Sequence, residues 1–262
     1  VGAARWGLIL AAVWFPKPFG ITVARQLAHP PLWRFRAKAV RRDKVILFFH
    51  GGAYIVGSPW THRGLLGRLA RATKAEVIAP DYRLAPEFPA PAAYDDALRA
   101  FEILLAEGLA PDQIVVAGDS AGGGLAAALV NGLAERGIAI GGMILLSPWT
   151  DLTMSGASIV TRAKQDPIFP VAPMRGLIDM VKGPLAADDL RISPLFGAFP
   201  MACPTLILTG EAEILLDDSQ RLAALLRSKG GRVDLHIEAA APHVYPFLAP
   251  YVPEARAAFR QM

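Results

Sequence analysis

Short, uninterrupted apolar runs recur along this chain, each ending at a turn and followed by a stretch with helical spacing. Val45 to Phe49 stops at His50-Gly51-Gly52, and Glu76 to Ala79 stops at Pro80-Asp81. Runs this short without polar alternation are strands buried on both faces. Between them, Thr61 to Thr73 carries Leu65, Leu66, Leu69 and Ala72 at helical spacing, with Thr61 placed as its cap. The unit repeats as helix Pro91 to Glu107, strand Gln113 to Ala117, helix Ser120 to Arg136 and strand Gly142 to Leu146. Regularity lapses from Thr150 to Pro200, where Ala172 to Val181 reads as helix. It resumes with strand Thr205 to Thr209, helix Leu215 to Lys229, strand Arg232 to Glu238 and a closing helix near Pro253 to Arg260. This alternation predicts an α/β protein with a mostly parallel central sheet and helices on both faces. The irregular insertion is where a lid is expected.

The chain has 262 residues, enough for one large α/β domain. Its one cysteine, Cys203, forms no intramolecular disulfide and supplies no multi-cysteine zinc site, which favours a reducing cytoplasm. The net charge of +4, from 27 basic and 23 acidic residues, is too small to predict a nucleic-acid partner. The densest basic run is Arg34, Arg36, Lys38, Arg41, Arg42 and Lys44, whose first three members alternate with apolar residues. It reads as a strand with one wet face, the other reading being contact with an anionic surface. The apolar run Trp6 to Phe15 is too short to span a bilayer, for which ~20 residues are needed. Pro16-Lys17-Pro18 follows it where a signal peptide would place a cleavage site. It is expected to be an amphipathic or buried helix of the domain, with a membrane-surface helix and a targeting remnant as the alternatives.

Gly118-Asp119-Ser120-Ala121-Gly122 fits G-x-S-x-G and lies between an apolar strand and a helix. A turn this tight needs glycine on either side of the serine and holds the hydroxyl above the sheet at a helix N-terminus. The bland reading is a plain strand-to-helix turn. A serine nucleophile needs a base, and of five histidines His243 follows the last strand at the sheet edge where Ser120 projects. His236 lies inside that strand, and His29 and His62 have no comparable placement. An acid to orient the imidazole belongs after strand Thr205 to Thr209, where Glu211, Glu213, Asp217 and Asp218 are available. Glu213 is preferred, since the two aspartates fall in the next helix and suit its dipole. The Gly-rich loop Gly51-Gly52-Ala53, with the amide of Ala121, can donate to a developing oxyanion. A simple glycine turn is the alternative.

Together, His50-Gly51-Gly52-Ala53-Tyr54, Asp81-Tyr82-Arg83-Leu84-Ala85-Pro86-Glu87, Gly118 to Gly123 and Ser147-Pro148-Trp149-Thr150-Asp151 resemble the hormone-sensitive lipase family of α/β hydrolases, the family IV bacterial esterases. The resemblance runs from about Val45 to the C-terminus. It implies the α/β-hydrolase fold, a serine carboxylesterase acting on short to medium acyl esters, Ser120 as nucleophile and His243 as base. It gives the amides of Gly52, Ala53 and Ala121 to the oxyanion hole and leaves His50, Arg83 and Glu87 structural roles. The family's usual acid is an aspartate followed by Pro-Leu, where this chain has Glu213-Ile214-Leu215, and Val244 follows the histidine where Phe or Gly is common. The short connection from Leu32 to Val45 leaves room for one strand, so the first strands of the family sheet are expected to be missing or short. The resemblance also implies one domain over 1–262 with a helical cap from about 1–31 and 152–193. There Trp6, Trp14, Phe15, Phe19, Ile168, Phe169, Met174, Leu177 and Met180 would wall an apolar pocket or pack on the core. No cofactor or metal is called for, and a homodimer through an exposed edge strand is open. Amide, lactone or formamide hydrolysis by the same triad is an alternative, as is a non-catalytic binding protein on this scaffold.

Overall fold

The computed structural model describes residues 1–41 and 43–262. Helix α1 (Gly2–Ala11) continues into a single 3-10 turn and leads to β1 (Thr22–Gln26), β2 (Leu32–Arg36) and β3 (Val45–Phe49). Then come α2 (Arg63–Thr73), β4 (Glu76–Pro80), α3 (Ala92–Ala106), β5 (Ile114–Asp119), α4 (Ala121–Glu135) and β6 (Gly142–Leu146). The insertion holds α5 (Ser158–Thr161) and α6 (Met174–Lys182), and β7 (Thr205–Gly210), α7 (Leu216–Ser228), β8 (Val233–Glu238) and α8 (Pro253–Ala258) complete the chain.

Among the described residues, eight strands form one sheet in the order β1-β2-β4-β3-β5-β6-β7-β8. From β4 to β8 all neighbours are parallel, whereas β2 is antiparallel to both β1 and β4. Side chains alternate across the sheet, which splits the apolar residues into two layers. Along β3, Leu47 and Phe49 face one layer with Leu125 of α4, Phe101 of α3 and Leu222 of α7. Ile46 and Phe48 face the other, with Leu65, Leu66 and Leu69 of α2 and Phe259 beyond α8. The register pairs Phe49 with Gly118 and Asp119 with Leu146, so the carboxyl ends of β3, β5 and β6 finish side by side.

Four expectations need correction. Residues 22–26, grouped above with the cap, form β1 at the sheet edge, and β2 precedes β3, so the first strands are present. Thr61 does not cap α2: its hydroxyl donates to Ser58 O at 2.8 Å and accepts Ser58 N at 2.9 Å, while the helix begins at Arg63. The N-terminal helix is not buried. Arg5 and Leu8 turn inward, whereas Trp6 is 68% and Leu10 67% exposed. The basic strand β2 has no simple wet face, because Leu32, fully buried, shares a face with Arg34, and Arg34 and Arg36 pair with Glu76. Arg34 also pairs with Glu107. Arg42 of that run lies outside the described residues.

Candidate active site

Ser120 joins β5 to α4 with φ 53° and ψ −124°, a left-handed backbone that costs ~1–3 kcal/mol in a non-glycine residue. The turn closes because its neighbours lack side chains. A Cβ on Gly118 would lie 2.2 Å from Gly122 O, and one on Gly122 would lie 2.1 Å from Phe49 O. Ser120 N donates to Leu146 O at 2.8 Å and its carbonyl accepts from Trp149 N at 2.9 Å, so β6 and the loop after it hold the turn on the far side.

His243 follows β8 and is buried with its Nδ1–H donating to Glu213 Oε2 at 2.7 Å. The other carboxylate oxygen of Glu213 accepts from Thr209 Oγ1 at the end of β7. A fully buried carboxylate needs such partners to offset its lost hydration. The Phe169 ring meets the imidazole edge-on, with centroids 4.7 Å apart. Val244 N donates to Ser147 Oγ at 3.0 Å, which ties the histidine loop to the end of β6. His243 Nε2 is buried and has no hydrogen-bond partner among the described residues, so the bond from Ser120 Oγ is not formed in this structure. Catalytic bonds in substrate-free sites are often loose in this way.

The other acids lie elsewhere. Glu211 accepts from Ala240 N, Asp217 from Ser158 N, and Asp218 from the amides of Thr150 and Asp151. Burial pushes the Asp218 carboxyl up to about 7. Among the remaining histidines, His236 and His29 are exposed.

The loop after β3 carries unused donors. Among the described residues the amides of Gly52 and Ala53 donate to nothing, and Ala121 N, at the start of α4, has no acceptor either. Gly51, expected with them, is different: its N–H donates to Asp119 Oδ1 at 2.9 Å, which removes it from the set of free donors. His50 Nδ1–H donates to Gly51 O at 2.8 Å, its ring stacks on Tyr82 at 4.2 Å, and its carbonyl accepts from the Tyr82 hydroxyl. Burial, with His62 beside it, pushes the His50 imidazole down to about 3, so the ring is neutral and structural. Arg83 clasps Asp96 and Glu87 clasps Arg5, as structural roles require.

The family described by the alpha/beta hydrolase fold matches residues 46–247. An acetyl-hydrolase of Streptomyces hygroscopicus is 36% identical over 226 residues, which cover 84% of this chain and 75% of that protein. An esterase of Acinetobacter venetianus is 37% identical over 196 residues, covering 74% and 63%. A solved esterase from the bacterial hormone-sensitive lipase family superposes with a TM-score of 0.94 at 34% identity, covering 98% of this chain and 87% of that one. The chain belongs to the hormone-sensitive lipase family of α/β hydrolases.

In this hydrolase several residues around the site carried no readable signal. Asp119, the variable position of G-x-S-x-G, holds the glycine loop through Gly51 and lies 3.4 Å from His62 Nε2, so His62 buttresses that loop from below. The insertion grips the acid loop at Ile214, the residue after Glu213. Asp166 Oδ2 accepts Ile214 N at 2.9 Å and Ser158 Oγ donates to Ile214 O at 2.6 Å. Of the residues expected to wall a pocket, Met174 is buried in the main core layer and Phe169 and Leu177 pack against it, Phe169 also meeting His243. Trp6, Trp14 and Phe19 do not, being 68%, 72% and 94% exposed. Phe15 packs edge-on against Phe247 and Tyr251, and Ile168 is exposed.

Proposed function

We propose that this carboxylic ester hydrolase is a serine esterase of short to medium acyl chains that works through an acyl-enzyme. Ser120 Oγ attacks the ester carbonyl as His243 Nε2 takes its proton, and the imidazolium is stabilised by Glu213 through the Nδ1 hydrogen bond. The amides of Gly52, Ala53 and Ala121 receive the oxyanion, where each donor is worth ~3 kcal/mol in the transition state. His243 then protonates the leaving alcohol, and water repeats the path to free the acid. The observation that carries this reading is the 2.7 Å His243–Glu213 bond, with Nε2 left without a partner. The acetyl-hydrolase relative supports the short acyl preference.

Residues 1–262 are read as one domain whose cap over the site is 152–193, the N-terminal segment being held by Arg5 to Ile55, Ala85 and Glu87 of the body rather than to that cap. A cytoplasmic site is the reading that a single free cysteine supports. A homodimer through the outer edge of β8 completes the proposal. The deciding experiment is hydrolysis of p-nitrophenyl esters from acetyl to palmitoyl by wild type and Ser120→Ala. Activity greatest on short chains and lowered by at least ~10³-fold in the variant supports the esterase. A folded wild type inactive on all of them, yet cleaving amides or lactones, reassigns the substrate; no hydrolysis at all leaves a binding protein.

A further inference from the structure

The net charge of this chain is unevenly placed. Residues 1–75 carry 13 Lys and Arg against one acid, Asp43, while residues 76–262 carry 14 against 22. The same N-terminal part holds the largest run of exposed apolar side chains. On α1, Trp6, Ile9 and Leu10 lie at i, i+3 and i+4, Val13 follows at i+7, and this stripe points outward. Val13 is 64% exposed, Trp14 72% and Phe19, just beyond, 94%. The inward side is made by Arg5, Leu8, Ala12 and Phe15. Arg5 donates to the carbonyls of Ile55 and Ala85, and Arg63 to that of Ala12. The stripe is therefore presented by a segment fixed to the body of the protein.

Positive charge surrounds it. Lys17, Arg63, Arg68 and Arg71 border the segment, and among the described residues none is paired with a carboxylate. They hold backbone carbonyls of residues 12–21 instead, so their charge is not neutralised. Tryptophan rings favour the boundary between headgroups and hydrocarbon, and Leu10, Ile9 and Val13 gain by entering it. Cationic side chains at its rim gain ~1 kcal/mol each from anionic headgroups. A nucleic acid would match the charge but has no use for the aliphatic residues. No helix among the described residues is long and apolar enough to cross a membrane.

We propose that α1 and the segment to Phe19, with the basic face of α2, form a docking surface for an anionic lipid bilayer. Arg5 links this surface to Ile55, the residue after Tyr54 in the glycine loop, so docking brings the site close to esters dissolved in the bilayer. The test is co-sedimentation with phosphatidylglycerol–phosphatidylcholine vesicles, pure phosphatidylcholine vesicles and no lipid, over a range of NaCl. The expected result is binding to the anionic vesicles that falls at high salt and is lost in Trp6→Ser/Trp14→Ser. That variant alters only outward-facing rings and should keep wild-type hydrolysis of p-nitrophenyl acetate in solution. A salt-independent association equal on both vesicle types overturns the proposal, as does none at all. So does a solution dimer, seen by light scattering, that the double variant dissolves without any vesicle binding, because the face is then a contact between copies.

Discussion

A single carboxylate distinguishes this site from the usual family pattern. Glu213 has one more methylene than the common aspartate, and its reach is taken up by Thr209, whose hydroxyl binds one oxygen while the other meets His243. Glu213→Gln keeps the shape but loses the charge that, in the proposed mechanism, stabilises the imidazolium. Its kcat on p-nitrophenyl acetate should fall by ~10²–10⁴-fold with KM little changed, measured by steady-state kinetics. Asp218 offers a pH test of a different kind. Its carboxyl stands at about 7 in the folded chain against an ordinary 3.8, because burial outweighs the Thr150 and Asp151 amides it accepts. Below about pH 4 both states hold the proton. Between there and about pH 7 the unfolded chain releases it and the folded chain does not, so stability falls as pH rises, then levels off. Asp218→Asn retains an acceptor for those amides and removes this dependence. Its Tm relative to wild type should climb across that window, read by calorimetry at a series of pH values, and a flat difference would remove the assignment.

Between elements, the insertion is tied to the acid loop by hydrogen bonds. Ile214 gives its N–H to Asp166 and accepts from Ser158, so both backbone groups of the residue after Glu213 are held by the insertion. Asp166 also accepts from Ile168 and Phe169 N, which fixes the turn that lays Phe169 against His243. Asp166→Ala should therefore lower kcat by ~10-fold through misplacement of Glu213 and His243, since small displacements cost rate steeply. Asp166→Asn, which still accepts one amide bond, should recover much of the loss, and steady-state kinetics of the pair checks it. These contacts were not legible in the sequence, because an aspartate in an irregular loop has no periodicity to reveal its partner 48 residues on. The placement of Ser120, Glu213 and His243 was legible, each standing in the turn or loop that follows a parallel strand. β1 was missed for the opposite reason: Thr22-Val23-Ala24-Arg25-Gln26 is an exposed edge strand and buries too little to show an apolar pattern.

Over the whole molecule, the sheet was readable from β3 to β7 because buried parallel strands must be continuously apolar, and at the edge strand β8 because Val233, Leu235 and Ile237 alternate with Asp234, His236 and Glu238. The two antiparallel strands before β3 follow no such rule, and the exposure of α1 inverted what its apolar run suggested. A sheet of this order ends at β8, whose outer backbone groups pair with no other strand among the described residues. Ile237 is 41% exposed there between His236 and Glu238, an apolar contact ringed by charge. If two copies pair antiparallel about a twofold at His236, Asp234 faces the partner's Glu238 on both sides. Like charges directly opposite oppose pairing, and salt screens them. The dimer proposed for this edge should thus grow with ionic strength as well as concentration, as followed by light scattering. Ile237→Lys should hold the chain monomeric at every salt concentration, since it replaces the apolar contact with an ammonium that must stay hydrated. A dimer that weakens with added salt, or that survives Ile237→Lys, lies on some other face of the molecule.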